Sequence, residues 1–264
     1  MKYKYLILSL LLPGFTAFSA SPLTDPSIQH QPQDGVIKVY GPGGPHSALQ
    51  KAASAWSKQS GVNVTVIYGP ESKWSKEAQH DADLIFGSSQ QSMTAFLETY
   101  AFIQSKDVMP LYLQRSVIAV KPGNPKGIKG INDLLKKDVG IVVTEGAGVY
   151  NTSGTGVWED IAGRTGQLAD IKNIRSKIVA FEKGSGAAFK AFQQPQADAW
   201  ITWSDWPLSH PDKATLVEIE PERRIYRDMN IAVAKNADPQ TQDFVRYLSS
   251  PEASKIFAHE GWMQ

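Results

Sequence analysis

Three times along this chain a short apolar run ends in a cluster of small residues and opens directly into a helical pattern. Val36-Ile37-Lys38-Val39-Tyr40 passes through Gly41-Pro42-Gly43-Gly44-Pro45-His46-Ser47 into a helix reaching Gln59. Asp81 to Gly87 passes through Ser88-Ser89-Gln90-Gln91 into a helix ending at Thr99. Val139 to Val143 passes through Thr144 to Gly156 into a helical pattern carrying Val157, Trp158, Ile161 and Ala162. Runs of this kind read as buried strands. Alternation with amphipathic helices implies α/β units with parallel strands. In open α/β sheets the ligand crevice lies at the strand carboxyl ends, where all three junctions fall.

Each junction is suited to an anion. The first backbone N–H groups of a helix lack internal partners, and the macrodipole places partial positive charge there. Glycines allow close approach, and hydroxyls add donors. The richest junction is Asn151, Thr152, Ser153, Gly154, Thr155 and Gly156. The same residue types also make an ordinary N-cap with a flexible connection. The first junction is not a phosphate loop of the Walker kind, because no Gly-Lys-Ser/Thr closes it. His46 and Ser47 fall in a first helical turn, where His46 serves equally well as a solvent-facing residue.

Residues 1–20 read as a secretory signal peptide, cut after Ser19 or Ala20. Lys2 and Lys4 make the positive start, and Leu6 to Leu12 the apolar run. That run is too short for a membrane anchor and is broken by Pro13-Gly14. The chain has no cysteine. This excludes a thiol nucleophile, disulfides and a lipid-attachment site, and it suits a bacterial periplasm. Lys and Arg total 27 against 26 Asp and Glu, with Lys2 and Lys4 inside the removable segment. Such a near-neutral chain offers no global field for nucleic acid or an anionic membrane.

Ser21 to Asp34 is rich in Pro and Gln and reads as a loose tail. Beyond it, two long extended runs stand out, at 109–120 and 224–235. They bracket a central block and carry the chain from one lobe to another and back. The expected division is a flexible tail at 21–35, a discontinuous first lobe at 36–114 and 225–264, and a second lobe at 115–224. Trp200, Trp203 and Trp206 sit close together, as a cleft wall or as core packing. Trp74 is read mainly as core. Arg115 stands at the first crossing.

Here the sequence resembles the periplasmic solute-binding proteins of the class that includes the sulfate and molybdate binders. Within that class it looks most like the accessory colonization factor branch. The motifs are VYGPGGPH (39–46), DADLIFGSS (81–89), the GNP at 123–125, EGAGVYNTSGTGVWEDIAGR (145–164), ADAWITWSDW (197–206) and QDFVRYLSS (242–250). The resemblance implies a type II periplasmic binding protein fold, with two Rossmann-like α/β lobes joined by two crossing strands. It also implies an anion held by hydroxyls and helix-end amides. The ligand residues expected from the resemblance and the junctions are Gly44, His46, Ser47, Ser88, Ser89, Arg115, Asn151, Thr152, Ser153, Gly154, Thr155, Gly156 and Trp203. Arg115 and the tryptophans leave room for a carboxylate or larger organic anion, which Arg clamps bidentately.

The expected function is capture of a sulfate-like oxyanion or small organic acid for an ABC transporter or chemosensory receptor. No cofactor, metal, nucleic acid or membrane insertion is expected, and the chain is expected to be a monomer. The alternatives are an exported surface factor with a vestigial ligand site and a hydrolase on the same fold. Against the hydrolase, the chain shows no Gly-x-Ser-x-Gly elbow and no His-Glu-x-x-His helix. Asp81 and Asp83 resemble a metal pair, but strand alternation is expected to place both on one face as caps or solvent-facing groups.

Overall fold

A computed structural model describes residues 23–145 and 157–264. Residues 1–20 and the junction Asn151, Thr152, Ser153, Gly154, Thr155 and Gly156 lie outside the described residues. The chain opens with β1 (Val36–Gly41), α1 (His46–Ser60), β2 (Asn63–Tyr68), α2 (Ser75–Asp81), β3 (Leu84–Gly87) and α3 (Gln90–Thr99). A long strand follows, β4 (Val108–Val120). Next come α4 (Ile131–Lys136), β5 (Ile141–Thr144), α5 (Trp158–Gly163), α6 (Leu168–Ser176), β6 (Ile178–Glu182), α7 (Ser185–Phe192), β7 (Ala199–Trp203), the short α8 (Asp205–Ser209) and β8 (Thr215–Glu218). The second long strand is β9 (Tyr226–Val233). Helices α9 (Thr241–Leu248) and α10 (Pro251–His259) close the described chain.

The strands run in the order β2-β1-β3-β9-β4-β7-β5-β6, with β8 also on β4. β1 is parallel to β2 and β3, and β5 is parallel to β6 and β7. These two parallel groups are the α/β lobes. β4 is antiparallel to its neighbours and changes partner midway. Val108 to Arg115 pair with β9, whereas Ser116 to Val120 pair with β7. One continuous strand is thus shared by both lobes. The sequence shows why it tolerates both: Tyr112 packs into the first lobe's core and Ile118 and Val120 into the second's.

Each lobe buries its own core. Ile37, Val39, Leu49, Trp56, Phe86, Met229, Phe244 and Phe257 draw α1, α9 and α10 onto one face of the first sheet. Tyr40, Trp74, Ile85, Phe96 and Tyr100 fill the other face under α2 and α3. The alternation of Val39 and Tyr40 between these clusters is the strand period of two. In the second lobe Ile118, Ile141, Val143, Trp158, Ile161 and Ile201 form one face, and Val142, Phe192 and Trp200 the other.

One expectation is corrected here. Residues 81–83 are not strand, because α2 runs through Asp81 before β3 begins at Leu84. Asp81 therefore ends a helix, taking the Tyr40 hydroxyl and the Lys38 ammonium, each at 2.7 Å. Asp83 is fully buried and accepts the Lys38 and Asp238 amides at 2.8 and 2.6 Å. Burial pushes its carboxyl up to about 6 despite those amides. The described part of the tail lies on the first lobe: the Gln31 amide donates to His80 O at 2.7 Å, and His30 stacks on Phe102 at 4.1 Å. Trp200, Trp203 and Trp206 are all buried in the second lobe's clusters.

Candidate functional site

The carboxyl ends of β1 and β3 meet the carboxyl end of β7 at the point where β4 changes lobes. The Gln114 amide group donates to Ser88 O at 3.0 Å, tying β4 to the turn after β3. The Ser204 amide donates to Arg115 O at 3.0 Å, tying the next residue of β4 to the turn after β7. Gly44 completes the convergence. A Cβ placed there would sit 3.7 Å from Asp205 Oδ2 and 3.7 Å from Ser88 Cβ. Loops from both lobes thus share one small space.

Glycine is required for the first of these loops to pass. A Cβ on Gly41 would lie 2.3 Å from Phe86 O, so any side chain there would force β1 and β3 apart. The chain then turns through Gly43 and Gly44, and α1 starts after Pro45, as expected from its fixed φ. His46 Nδ1 faces Gly43 O. A carbonyl only accepts, so Nδ1 carries the hydrogen. The ring stacks on Tyr68 at 3.9 Å, and burial holds its pKa below the usual histidine range. His46 is therefore a neutral ring in a fixed orientation. Ser47 Oγ donates to Glu260 Oε2 at 2.7 Å.

At the second junction Ser89 is spent on the helix. Its side chain accepts the Ser92 amide at 3.1 Å in a capping box. Ser88 is buried, its amide donates to Ser92 Oγ at 3.0 Å, and its carbonyl holds Gln114. Of the sequence-derived residues, Gly44 and Ser88 are therefore brought together at the crossing, and His46 and Ser47 lie in the first turn of α1 that follows Gly44. Ser89 faces its own helix. Trp203 lies in the second core, 3% exposed.

Arg115 is paired with a carboxylate of its own chain. Its Nε and Nη2 fork onto Glu218, the shortest contact being 2.7 Å, and this holds the Glu218 carboxyl below the usual range. Arg223 and Arg224 are likewise engaged. Arg223 caps Ile161 O and Ala162 O, and Arg224 Nη2 donates to Ile219 O at 2.8 Å. Arg227 differs. It is half-buried, its Nε is buried without a hydrogen-bond partner, and it makes no ion pair among the described residues. In the ladder it stands opposite Gln114. Opposed residues of antiparallel strands share a face. Arg227 is thus on the face where Gln114 reaches Ser88. The sequence reading missed it, although it lies in the second crossing run.

Asp205 opens α8 and is 5% exposed. Its Oδ1 has no hydrogen-bond partner. Burial pushes the carboxyl up to about 8, against the pull of its own and the Trp206 amides, and Glu260 adds to the rise. Gln114 Oε1, Asp228 Oδ1 and Asn230 Oδ1 are also buried without partners. Buried polar atoms of this kind are rare in folded proteins, and each calls for a reason.

The profile of the family described as bacterial extracellular solute-binding protein matches residues 37–263. No curated protein matches the chain. Among solved structures, L-phospholactate-bound PEB3 is 48% identical, covers 86% of this chain and 99% of its own, and superposes with a TM-score of 0.82. Peb3 from Campylobacter jejuni has the same identity and coverage with a TM-score of 0.80. The sulfate-binding protein SubI from Mycobacterium tuberculosis is 19% identical, with 86% of each chain covered and a TM-score of 0.69. The periplasmic molybdate-binding protein of Azotobacter vinelandii is 14% identical over 86% of this chain and 99% of that one, with a TM-score of 0.66. The last two share the type II periplasmic binding protein fold.

Proposed function

Because the chain belongs to the bacterial extracellular solute-binding proteins, we propose that it captures a small organic anion in the cleft between its lobes. The observation that carries this reading is Arg227, a half-buried guanidinium without a protein partner among the described residues, on the face shared with Gln114. A guanidinium is always charged and presents paired donors that match a carboxylate or phosphate. Burying it unpaired is costly, and an anion offsets that cost. A relative 48% identical has been solved with L-phospholactate, a molecule carrying both groups. Around Arg227 the reading places the backbone amides of Gly44, His46 and Ser47, the hydroxyl of Ser88, and the hydroxyls and amides of Asn151 to Gly156 as further donors.

The lobe division at 114/115 and 224/225 belongs to the same proposal, as does closure of the lobes over the ligand. Closure removes water and strengthens each charge-assisted hydrogen bond. The closed protein, exported to the periplasm as a monomer, then hands its anion to an ABC transporter or presents itself to a chemosensory receptor.

A thermal-shift screen tests the reading with L-phospholactate, phosphorylated and plain dicarboxylates, sulfate and molybdate. A ligand at 100 times its Kd adds about 2.7 kcal/mol, enough to raise the melt by about 5–10 °C at this size. The expected result is a shift with phospholactate or another organic acid. Shifts with sulfate or molybdate alone would replace the organic class with an inorganic one. No shift with any anion would overturn anion capture and favour the surface-factor alternative.

A further inference from the structure

We propose that Asp205 is a neutral-acid member of this anion site, its carboxyl O–H serving as a hydrogen-bond donor to the captured anion, so that capture by the ionised form takes up one proton. The inference rests on the anion-capture reading above and deepens it.

Asp205 belongs to the turn after β7 in the second lobe. Its Oδ2 lies 3.7 Å from the position of a Cβ on Gly44, a first-lobe loop residue, and that same position is 3.7 Å from Ser88 Cβ. The carboxyl therefore stands where the two lobes come together. Its Oδ1 is buried and unpartnered. Among the described residues, its own backbone amide and that of Trp206 act on it as donors.

The charged surroundings give no support to a carboxylate. No Lys or Arg pairs with Asp205 among the described residues. From the C-terminal end of the first lobe, Glu260 opposes its ionisation. On α1, His46 is held neutral by burial. At the end of α8, His210 Nδ1 faces Trp206 O at 3.0 Å and is committed to its own helix. Arg227 stands on the crossing strand with no ion pair to Asp205. A buried carboxylate with an unpaired oxygen is strongly disfavoured, whereas a neutral acid is not, and it gains a donor that a carboxylate lacks. A carboxylate beside an incoming anion would repel it. One proton between the two removes that repulsion.

The test is the pH dependence of L-phospholactate and sulfate binding between pH 7 and 9.5, by titration calorimetry in buffers of different ionisation enthalpy. In this window the probes do not titrate, because the second phosphate pKa is about 6. His46, with its lowered pKa, does not titrate there either. Wild-type Kd should be flat to about pH 7.5 and weaken toward tenfold per unit above about pH 8, with close to one proton taken up at pH 9. Asp205→Asn keeps a neutral donor in the same shape. It should bind with a flat profile and no proton uptake. A flat wild-type profile without proton uptake would overturn the role of Asp205 and leave anion capture standing. An Asn variant with the wild-type slope would do the same. If the variant does not fold, the wild-type proton count decides alone. Failure of both probes to bind wild-type protein at pH 7 would remove the anion site, and this inference with it.

Discussion

The Ser209 hydroxyl donates to Glu260 Oε2 at 2.9 Å, and this bond fastens the end of α8 in the second lobe to the C-terminal segment of the first. Ser47 Oγ donates to the same oxygen at 2.7 Å, and the Lys51 ammonium pairs with Oε1. Glu260 thus gathers α1, α8 and the end of α10 on one carboxylate. Nearby, Ser204 Oγ donates to Gly261 O at 2.8 Å. The two lobes are joined here as well as by the crossing strands.

Glu260 should be a source of stability that acid removes. Burial alone would raise its pKa, but the bonds from Lys51, Ser47 and Ser209 outweigh burial and bring it down to about 2. The folded pKa is below the unfolded value, so the stabilisation is present above about pH 4.5. It is lost as pH falls toward 2. Glu260→Gln should cost about 1–3 kcal/mol at neutral pH, as expected for a buried charge-assisted network. Denaturant unfolding of both proteins at pH 7 and pH 2.5 checks this. An equal difference at the two pH values would show that the charge of Glu260 contributes nothing.

Asp205 works in the opposite direction. Its folded pKa of about 8 is above the unfolded carboxylate value, so the folded protein binds the proton more tightly than the unfolded chain does. Stability should fall as pH rises from about 4 to 8 and then level off. Asp205→Asn removes this penalty and should stabilise the protein by about 2–4 kcal/mol at pH 7, with little effect at pH 4. Melting temperatures of both proteins across that range provide the check, and an Asn variant less stable at pH 7 would contradict it. A group that weakens the fold yet lies where the loops converge is the pattern expected of a functional residue.

Most of the architecture is legible in the sequence because it rests on period and punctuation. The strand runs, the two crossings and the helix starts after Pro45 and Ser250 follow from local chemistry. The failures have a common physical cause, namely that register and tertiary partners are not local. Arg115 and Arg227 are indistinguishable by position in an extended run. Only the pairing of β4 with β8 and β9 assigns Glu218 to the first and Gln114 to the second. Asp81 and Asp83 looked alike in a strand pattern, but the helix preceding β3 continued to Asp81 and separated them. The tryptophans were ambiguous for a similar reason. Trp200 and Trp203 lie on opposite faces of β7 and serve two different clusters. Asp205 carried no signal beyond its place after a strand.

Gly41 should be intolerant of any side chain. Its φ is not in the left-handed region, so conformation is not the obstacle. The obstacle is Phe86 O at 2.3 Å from the position of a Cβ, a backbone atom that cannot swing away. Gly41→Ala should destabilise by about 1–3 kcal/mol through overpacking. It should also weaken ligand binding, because separating β1 from β3 moves the loop at Gly44 away from Ser88. Calorimetry and ligand titration check both effects. Wild-type stability in the Ala variant would mean that the strands separate at no cost.

The two arginines at the crossing give the most direct separation of structure from recognition. Arg115→Ala removes an ion pair to Glu218, whose side chain is 45% exposed. Exposed pairs are worth about 0–1 kcal/mol, so a small loss of stability and unchanged ligand affinity are expected. Arg227→Ala removes a guanidinium with no protein partner among the described residues, so stability should be kept or slightly raised. Its loss should instead weaken binding of L-phospholactate by about 1.5–3 kcal/mol, roughly 10- to 150-fold, the range for a hydrogen bond to a charged group. Arg227→Lys should recover only part of this, because a point charge cannot make the paired contact. Parallel measurement of melting and affinity on the three variants distinguishes the roles. Loss of affinity in the Arg115 variant with none in the Arg227 variant would return the clamp to the first crossing strand and remove Arg227 from the site.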